Sequence, residues 1–573
     1  MTNNDTDNGY SDSTAAIDIR FPYRDTVTDF ARRTISHQIC SAEKELRTFD
    51  TQIQMLNAEI SRLEGVVTKL EGQREAVDKE IMNYRSLLSP IHRMPPEVMV
   101  EIFRFCCSFS NLHPYGFGAP PPPLELSSVC GRWHELVLNT PTLWTSLSAY
   151  NSSSYPNTRV YHTAKLFMDR SNSAPLAVNV QYHGPPDHRP DFFEPLVQNS
   201  RRWVRLELST VPAAFEAQIY NRLRGELPLL KYLVLRDSIS VEHSGSPVGE
   251  APFLGAFQLA PPLRSVTLIG RLATPRLALP WKQIKNIRIQ SCTVDRLLPI
   301  LAQCLTVEEM KLQWITSGSP HTRSPITLPR VKQLSIDTSM AKHGPLNSIV
   351  GDLTLPGLQI MELRNVGSTR IRLSWDGTST LRDFFIRSSC PLTSLYLRHL
   401  PMNDESLLSL LPLIPTLATL MIADASENRA SSTGMARKTI TNHLFSRFSL
   451  SYQEPAVEGF IAESCSKPSA DVLVPRLKDL TLVVVDSEGL DERTMVNSLV
   501  SRLADTNRVL LGAQGAPRRA VESCLHSIDI TLTVKDGRSF DTLRSLAQYF
   551  SGAVIKVRTA GHDRIVLARA RGP

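Results

Sequence analysis

The 573-residue chain has no apolar run of about 18 or more residues, the length a helix needs to cross a bilayer, so no membrane span is expected. Met1 to Asp18 is polar and acidic and lacks the apolar core of a secretory signal. The nine cysteines include no Cys-x-x-Cys pair. Their odd count and scattered spacing argue against a disulfide framework and for a reducing compartment, cytoplasmic or nuclear. No histidines or cysteines sit at metal-ligand spacing, and adjacent Cys106 and Cys107 are poorly placed to share a tetrahedral ion. No phosphate loop occurs. Gly116-Phe117-Gly118 runs into prolines, and Gly245 to Gly249 carries Pro247 where a nucleophile elbow requires serine. Without a metal, a cofactor or a catalytic constellation, the chain is expected not to be an enzyme.

Excess charge of one sign is small too. Lys and Arg number 63 against 56 Asp and Glu, a net of +7, which is mild for this length. Arg201-Arg202, Arg518-Arg519 and the C-terminal Arg558, Arg564, Arg569 and Arg571 lack interleaved aromatics, which argues against nucleic acid as a partner. What is present is a globular share of apolar residues, 42%, punctuated by 39 prolines and 27 glycines.

The organisation changes along the chain. Residues 1–34 are polar and read as a disordered tail. Over 35–89, Ile39, Leu46, Ile53, Ile60, Val67, Ile81 and Leu88 recur every seven residues, with Arg74 in one slot. Ala42, Phe49, Leu56, Leu63, Leu70, Val77 and Tyr84 make the second seam. This pattern predicts a long coiled-coil helix that pairs with a second copy or another helix. The alternative is one helix folding back on the protein.

Residues 90–150 predict two short helices. Pro95 and Pro96 fit a helix start, and Glu97 suits the positive end of its dipole. Val98, Ile102, Phe103 and Phe105 follow at helical spacing. His113 to Pro123 reads as an exposed loop. Leu126, Val129, Trp133, Leu136 and Val137 form the stripe of a second helix, which Thr140-Pro141 ends. Such a hairpin either belongs to a larger core or completes its packing on a partner.

From 151 to 495, ten segments fit Leu-x-x-Leu-x-Leu with apolar substitutions. They begin at Trp203, Leu230, Leu263, Ile284, Val307, Val331, Leu358, Leu392, Leu417 and Leu477. With helical stretches such as Val294–Leu305 and Glu405–Leu413 between them, they predict an irregular leucine-rich-repeat-like solenoid with parallel strands. An ordinary parallel α/β domain is the alternative. Residues 424–468 lack the motif and read as a partly flexible insert with a helix near Thr439–Phe448. Residues 496–573 read as a cap: helix, strand (Leu525–Val534), helix (Phe540–Phe550) and strand (Ile565–Ala568). The expected fold class is α/β.

Three stretches carry a family resemblance: Tyr84-Arg85-Ser86-Leu87-Leu88-Ser89-Pro90-Ile91 running into Met94-Pro95-Pro96-Glu97, then Val129-Cys130-Gly131-Arg132-Trp133, then Thr140-Pro141-Thr142-Leu143-Trp144. In this order they resemble the F-box-like proteins of mushroom-forming fungi. Met94 stands where leucine is usual, and Gly131 where a basic residue is. The resemblance covers about residues 35–150. It implies docking to a Skp-type adaptor of a cullin–RING ubiquitin ligase through Pro95, Pro96, Glu97, Val98, Ile102, Phe103, Leu126, Val129, Cys130 and Trp133. Phe103 and Trp133 are the expected aromatic anchors. The repeat domain would then recruit an unidentified protein substrate. The competing reading is a coiled-coil dimeric scaffold without a ligase role.

Overall fold

The computed structural model describes residues 28–107, 110–112, 120–152, 158–183, 193–209, 221–236, 255–270, 277–318, 325–338, 345–365, 377–424, 438–449, 473–485, 489–502, 525–534, 552–559 and 562–569. The chain divides into two units, Met1–Pro95 and Pro96–Pro573.

The first unit is dominated by one helix, α1 (Asp29–Leu87), of 59 residues. At about 1.5 Å per residue it is roughly 90 Å long. It starts inside the stretch expected to be a tail: Asp29 sits in the first turn, where a carboxylate suits the dipole. None of its residues is buried. Large apolar seam side chains within it are between 41% (Ile81) and 64% (Leu56) exposed, and Leu88, just past its end, is 72% exposed.

The second unit opens with three helices, α2 (Pro96–Cys106), α3 (Pro122–Ser127) and α4 (Gly131–Leu138). The single second helix expected from the sequence is thus broken. Pro122 at the N-terminus of α3 starts a short helix, and Ser128 to Cys130 turn the chain before α4 begins.

A 16-stranded sheet follows strictly in chain order. It begins with β1 (Ser110–Leu112), β2 (Ser146–Ser152), β3 (Leu176–His183) and β4 (Trp203–Ser209). Next come β5 (Tyr232–Arg236), β6 (Ser265–Ile269), β7 (Asn286–Gln290) and β8 (Glu309–Gln313). The short β9 (Ile326–Thr327) and β11 (Leu353–Thr354) form a separate parallel pair. The main sheet continues through β10 (Gln333–Thr338), β12 (Ile360–Asn365), β13 (Ser394–Arg398), β14 (Thr419–Ala423) and β15 (Asp479–Val484). It ends with β16 (Ser527–Val534), β17 (Gly552–Thr559) and β18 (His562–Arg569). Every neighbouring pair described is parallel except β17 with β18.

All ten segments read from the sequence are strands of this sheet. The leading apolar residue lies two positions before the strand in nine of them, and each of those nine residues is at most 1% exposed, Leu230, Leu263 and Ile284 among them. The next two apolar positions point to the same face because strand side chains alternate. They therefore line up across strands: Leu233, Val266, Ile287, Met310, Leu334, Met361, Leu395 and Leu420 occupy one column of register. Helices between strands supply the covering layer. The helices 294–301, 345–352, 378–388, 404–410, 442–448 and 492–500 each contact the next in sequence.

Three expectations shift. The sheet starts before residue 151, with β1 and β2, and β3 is a further strand outside the repeat motif. β17 lies where the sequence pattern predicts no strand. The strands expected at 525–534 and 565–568 are present in β16 and β18, and β16 to β18 continue the main sheet to its end, where β18 turns antiparallel. The helix expected at 540–550 lies outside the described residues, as do most of the loop at 113–123 and most of the insert at 424–468. The helix expected near 439–448 is present at Asn442–Phe448.

Candidate docking surfaces

Helix α2 is apolar on two sides. Met99 and Phe103, four residues apart, are 1% and 2% exposed and face the core with Cys107. Val98, Ile102 and Phe105 follow at offsets of four and three on another face, and are 47%, 44% and 83% exposed. An apolar residue left in water forfeits about 1.5–3 kcal/mol of burial, so this exposed stripe is the candidate contact surface of the hairpin. Val129, in the turn between α3 and α4, is 59% exposed. Pro95, Pro96 and Glu97 are exposed, while Leu126 and Cys130 are half-buried.

The two expected anchors are placed differently. Phe103 is buried and packs on half-buried Trp133 with ring centroids 4.7 Å apart at 57°. This pair joins α2 to α4, so it holds the hairpin together, and Phe103 presents no surface to a partner. Farther in, Trp144 Nε1 donates to the Val137 carbonyl at 2.9 Å, and its ring meets Phe167 edge-on at 5.2 Å. That contact ties the hairpin to the start of the sheet. Phe105 fits the helical spacing but is absent from the expected docking set. Its 83% exposure makes it the most open aromatic of the stripe.

The sheet face opposite the apolar columns carries a polar network. Glu207 accepts from Arg205 at 2.9 Å and pairs with Arg236 at 3.7 Å. Gln313 Oε1 accepts from Arg288 at 2.8 Å, and its Nε2 donates to Asp337 at 2.7 Å. Arg398 pairs with Glu362 at 3.2 Å, and Ser335 Oγ donates to the same carboxylate at 3.3 Å. In the turns leading into the strands, Glu308 sits between Lys285 (3.0 Å) and Lys332 (3.3 Å), whose ammonium groups hold its carboxyl below the usual range. Glu207 and Ser335 are buried within this network, while the pairs of Glu308 with Lys285 and Lys332 are more open and add little stability.

Four of the described cysteines are buried. Burial pushes the thiols of Cys107 and Cys304 up to about 12, and those of Cys292 and Cys390 up to about 11, so all four are protonated at neutral pH and poor nucleophiles. Among the described residues no group of three His, Cys, Asp or Glu side chains is arranged to hold a metal ion. Among the same residues no helix is long and apolar enough to cross a membrane. No family model and no curated protein matches the chain.

Proposed function

We propose that the chain is an F-box-type substrate receptor. Residues 90–150 dock a Skp-type adaptor of a cullin–RING ubiquitin ligase, and the sheet domain, a leucine-rich-repeat-like solenoid, recruits a protein substrate. The observation that carries the docking half is the second apolar stripe of α2. Val98, Ile102 and Phe105 stay exposed although the hairpin is already filled by Met99, Phe103 and Trp133. The ordered Met-Pro-Pro-Glu, Val-Cys-x-x-Trp and Thr-Pro-x-Leu-Trp segments support the same reading. The repeat half is supported by the recurrent Leu-x-x-Leu-x-Leu segments and the chain-order parallel sheet. Its open face presents charged and amide side chains suited to a polar protein surface.

A pull-down with a purified Skp-type adaptor tests this. Wild type is expected to bind, and Ile102→Asp/Phe105→Asp to lose binding with unchanged circular dichroism. Equal capture of both proteins counts against the proposal. A scaffold role without a ligase is the second reading, favoured by the exposed seam of α1. It predicts helix-mediated assembly with no adaptor binding in the same assay.

A further inference from the structure

The heptads of α1 keep their charges apart. With Ile39 at position a, eight of the nine acidic residues between 39 and 88 fall at e or g, flanking the seam; Glu75 is the exception. They are Glu43, Asp50, Glu64, Glu71 and Asp78 at e, and Glu45, Glu59 and Glu80 at g. Of seven basic residues in the same span, five lie on the outward b, c and f positions: Lys44, Arg47, Arg62, Lys69 and Lys79. Arg74 occupies an a position and Arg85 an e position. The helix is therefore nearly neutral as a whole, with a negative border on both sides of its apolar seam.

That border decides what can cover the seam. In a parallel pair of copies, each g residue faces the e residue of the following heptad in the other helix. Glu45 then meets Asp50 and Glu59 meets Glu64, and Arg74 meets its own counterpart across the core. Only Glu80 and Arg85 attract. An antiparallel pair sets e against e, and the e row from 43 to 78 is acidic everywhere but Asn57. Contacts within the helix relieve little of this. Arg62 bonds Glu59 at 2.7 and 2.8 Å, and the Tyr84 hydroxyl donates to Glu80 at 2.9 Å without cancelling its charge. Like charges at such positions destabilise a coiled coil as opposite charges stabilise it, and they set partner choice.

We infer that the seam of α1 is built for a different helix, one with an apolar a/d seam and lysine or arginine at e and g, and against a second copy of this chain. The seam is half-exposed along its length and interrupted by Arg74 alone, so it offers apolar side chains to a partner over about seven heptads. The negative border supplies the discrimination.

The test uses the full chain and three synthetic peptides of matched length. One has isoleucine and leucine at a and d with lysine at e and g. A second carries glutamate at e and g. A third keeps the lysines but has serine in the seam. The chain alone is expected to sediment as a monomer at low salt. The lysine peptide is expected to bind at least about tenfold tighter than the glutamate peptide, a preference that shrinks in high salt as the charges are screened. The serine-seam peptide is expected not to bind. Glu43→Lys/Asp50→Lys/Glu64→Lys/Glu71→Lys, all at exposed positions, is expected to invert the preference. Three results overturn the inference: a tight dimer of the chain at low salt that the lysine peptide fails to displace, equal binding of the lysine and glutamate peptides, or binding that is independent of the seam.

Discussion

Arg502 illustrates how single side chains close this fold. It is 1% exposed, and its guanidinium is satisfied by backbone. It donates to the carbonyls of Phe448 (2.6 Å), Leu473 (2.6 Å) and Val474 (3.2 Å) and stacks over the Phe448 ring at 5.0 Å. Burial lowers its pKa to about 10, so it stays charged at neutral pH. Arg502→Met should cost about 2 kcal/mol, because the carbonyls of Phe448 and Leu473 lose their donor while that of Val474 keeps the Leu477 N–H; chemical denaturation reads this directly. Arg502→Lys should recover only part, since a compact ammonium lacks the planar fork that spans three acceptors. The buried thiols give a pH signature of their own. Cys304 is held near 12 against an ordinary 9.0, so above about pH 9 the unfolded chain loses a proton that the folded chain keeps. Stability should therefore fall as pH rises from 9 towards 11, and Cys304→Ala should show a shallower fall in its urea midpoint over that range.

At the scale of elements, the sequence is most informative where pattern and burial have one solution. The seven-residue repeat specifies α1, and it specifies its seam. Gly65 and Gly72 lie at outward f positions, with open space where a β carbon would sit. Gly65→Ala and Gly72→Ala should each add about 1 kcal/mol to helix stability, read as a higher midpoint in the helical signal. The ten strands were legible for a similar reason: a leading large apolar residue, leucine in six of them, followed by alternation is a local signal that burial must honour. Strands β1, β2, β3 and β17 were not: β1 and β3 have only Ser108 and Ala174 two residues ahead, while β2 and β17 follow Trp144 and Phe550 but carry alanine, Ala149 and Ala553, at one of the two alternating positions. Helix α2 marks a different boundary. Its Phe103 and Phe105 are both apolar and both fit a helical stripe, and sequence spacing does not say which stripe faces inward. The answer depends on Trp133, which lies far along the chain and fills the space against Phe103. Gly357 is another feature set by packing. A Cβ there would lie 2.5 Å from the Pro329 carbonyl in the turn ahead of the neighbouring strand. Gly357→Ala should destabilise the sheet domain, and thermal melting checks it.

For the whole molecule, the sheet in chain order means that each strand pairs with its neighbours along the chain and little else, so stability accumulates step by step along it. On the proposed reading, the polar ladder on its open face, from Glu207 to Arg398, is the surface that would meet a substrate. A receptor role depends on the other end, where Val98, Ile102 and Phe105 face water. Calorimetric titration of a purified Skp-type adaptor into the full chain, and into Ile102→Asp/Phe105→Asp, decides it. Saturable one-to-one binding is expected for the wild type and none for the variant, with equal melting temperatures for the two proteins. Absence of binding by the wild type, or undiminished binding by the variant, would refute adaptor docking through this stripe.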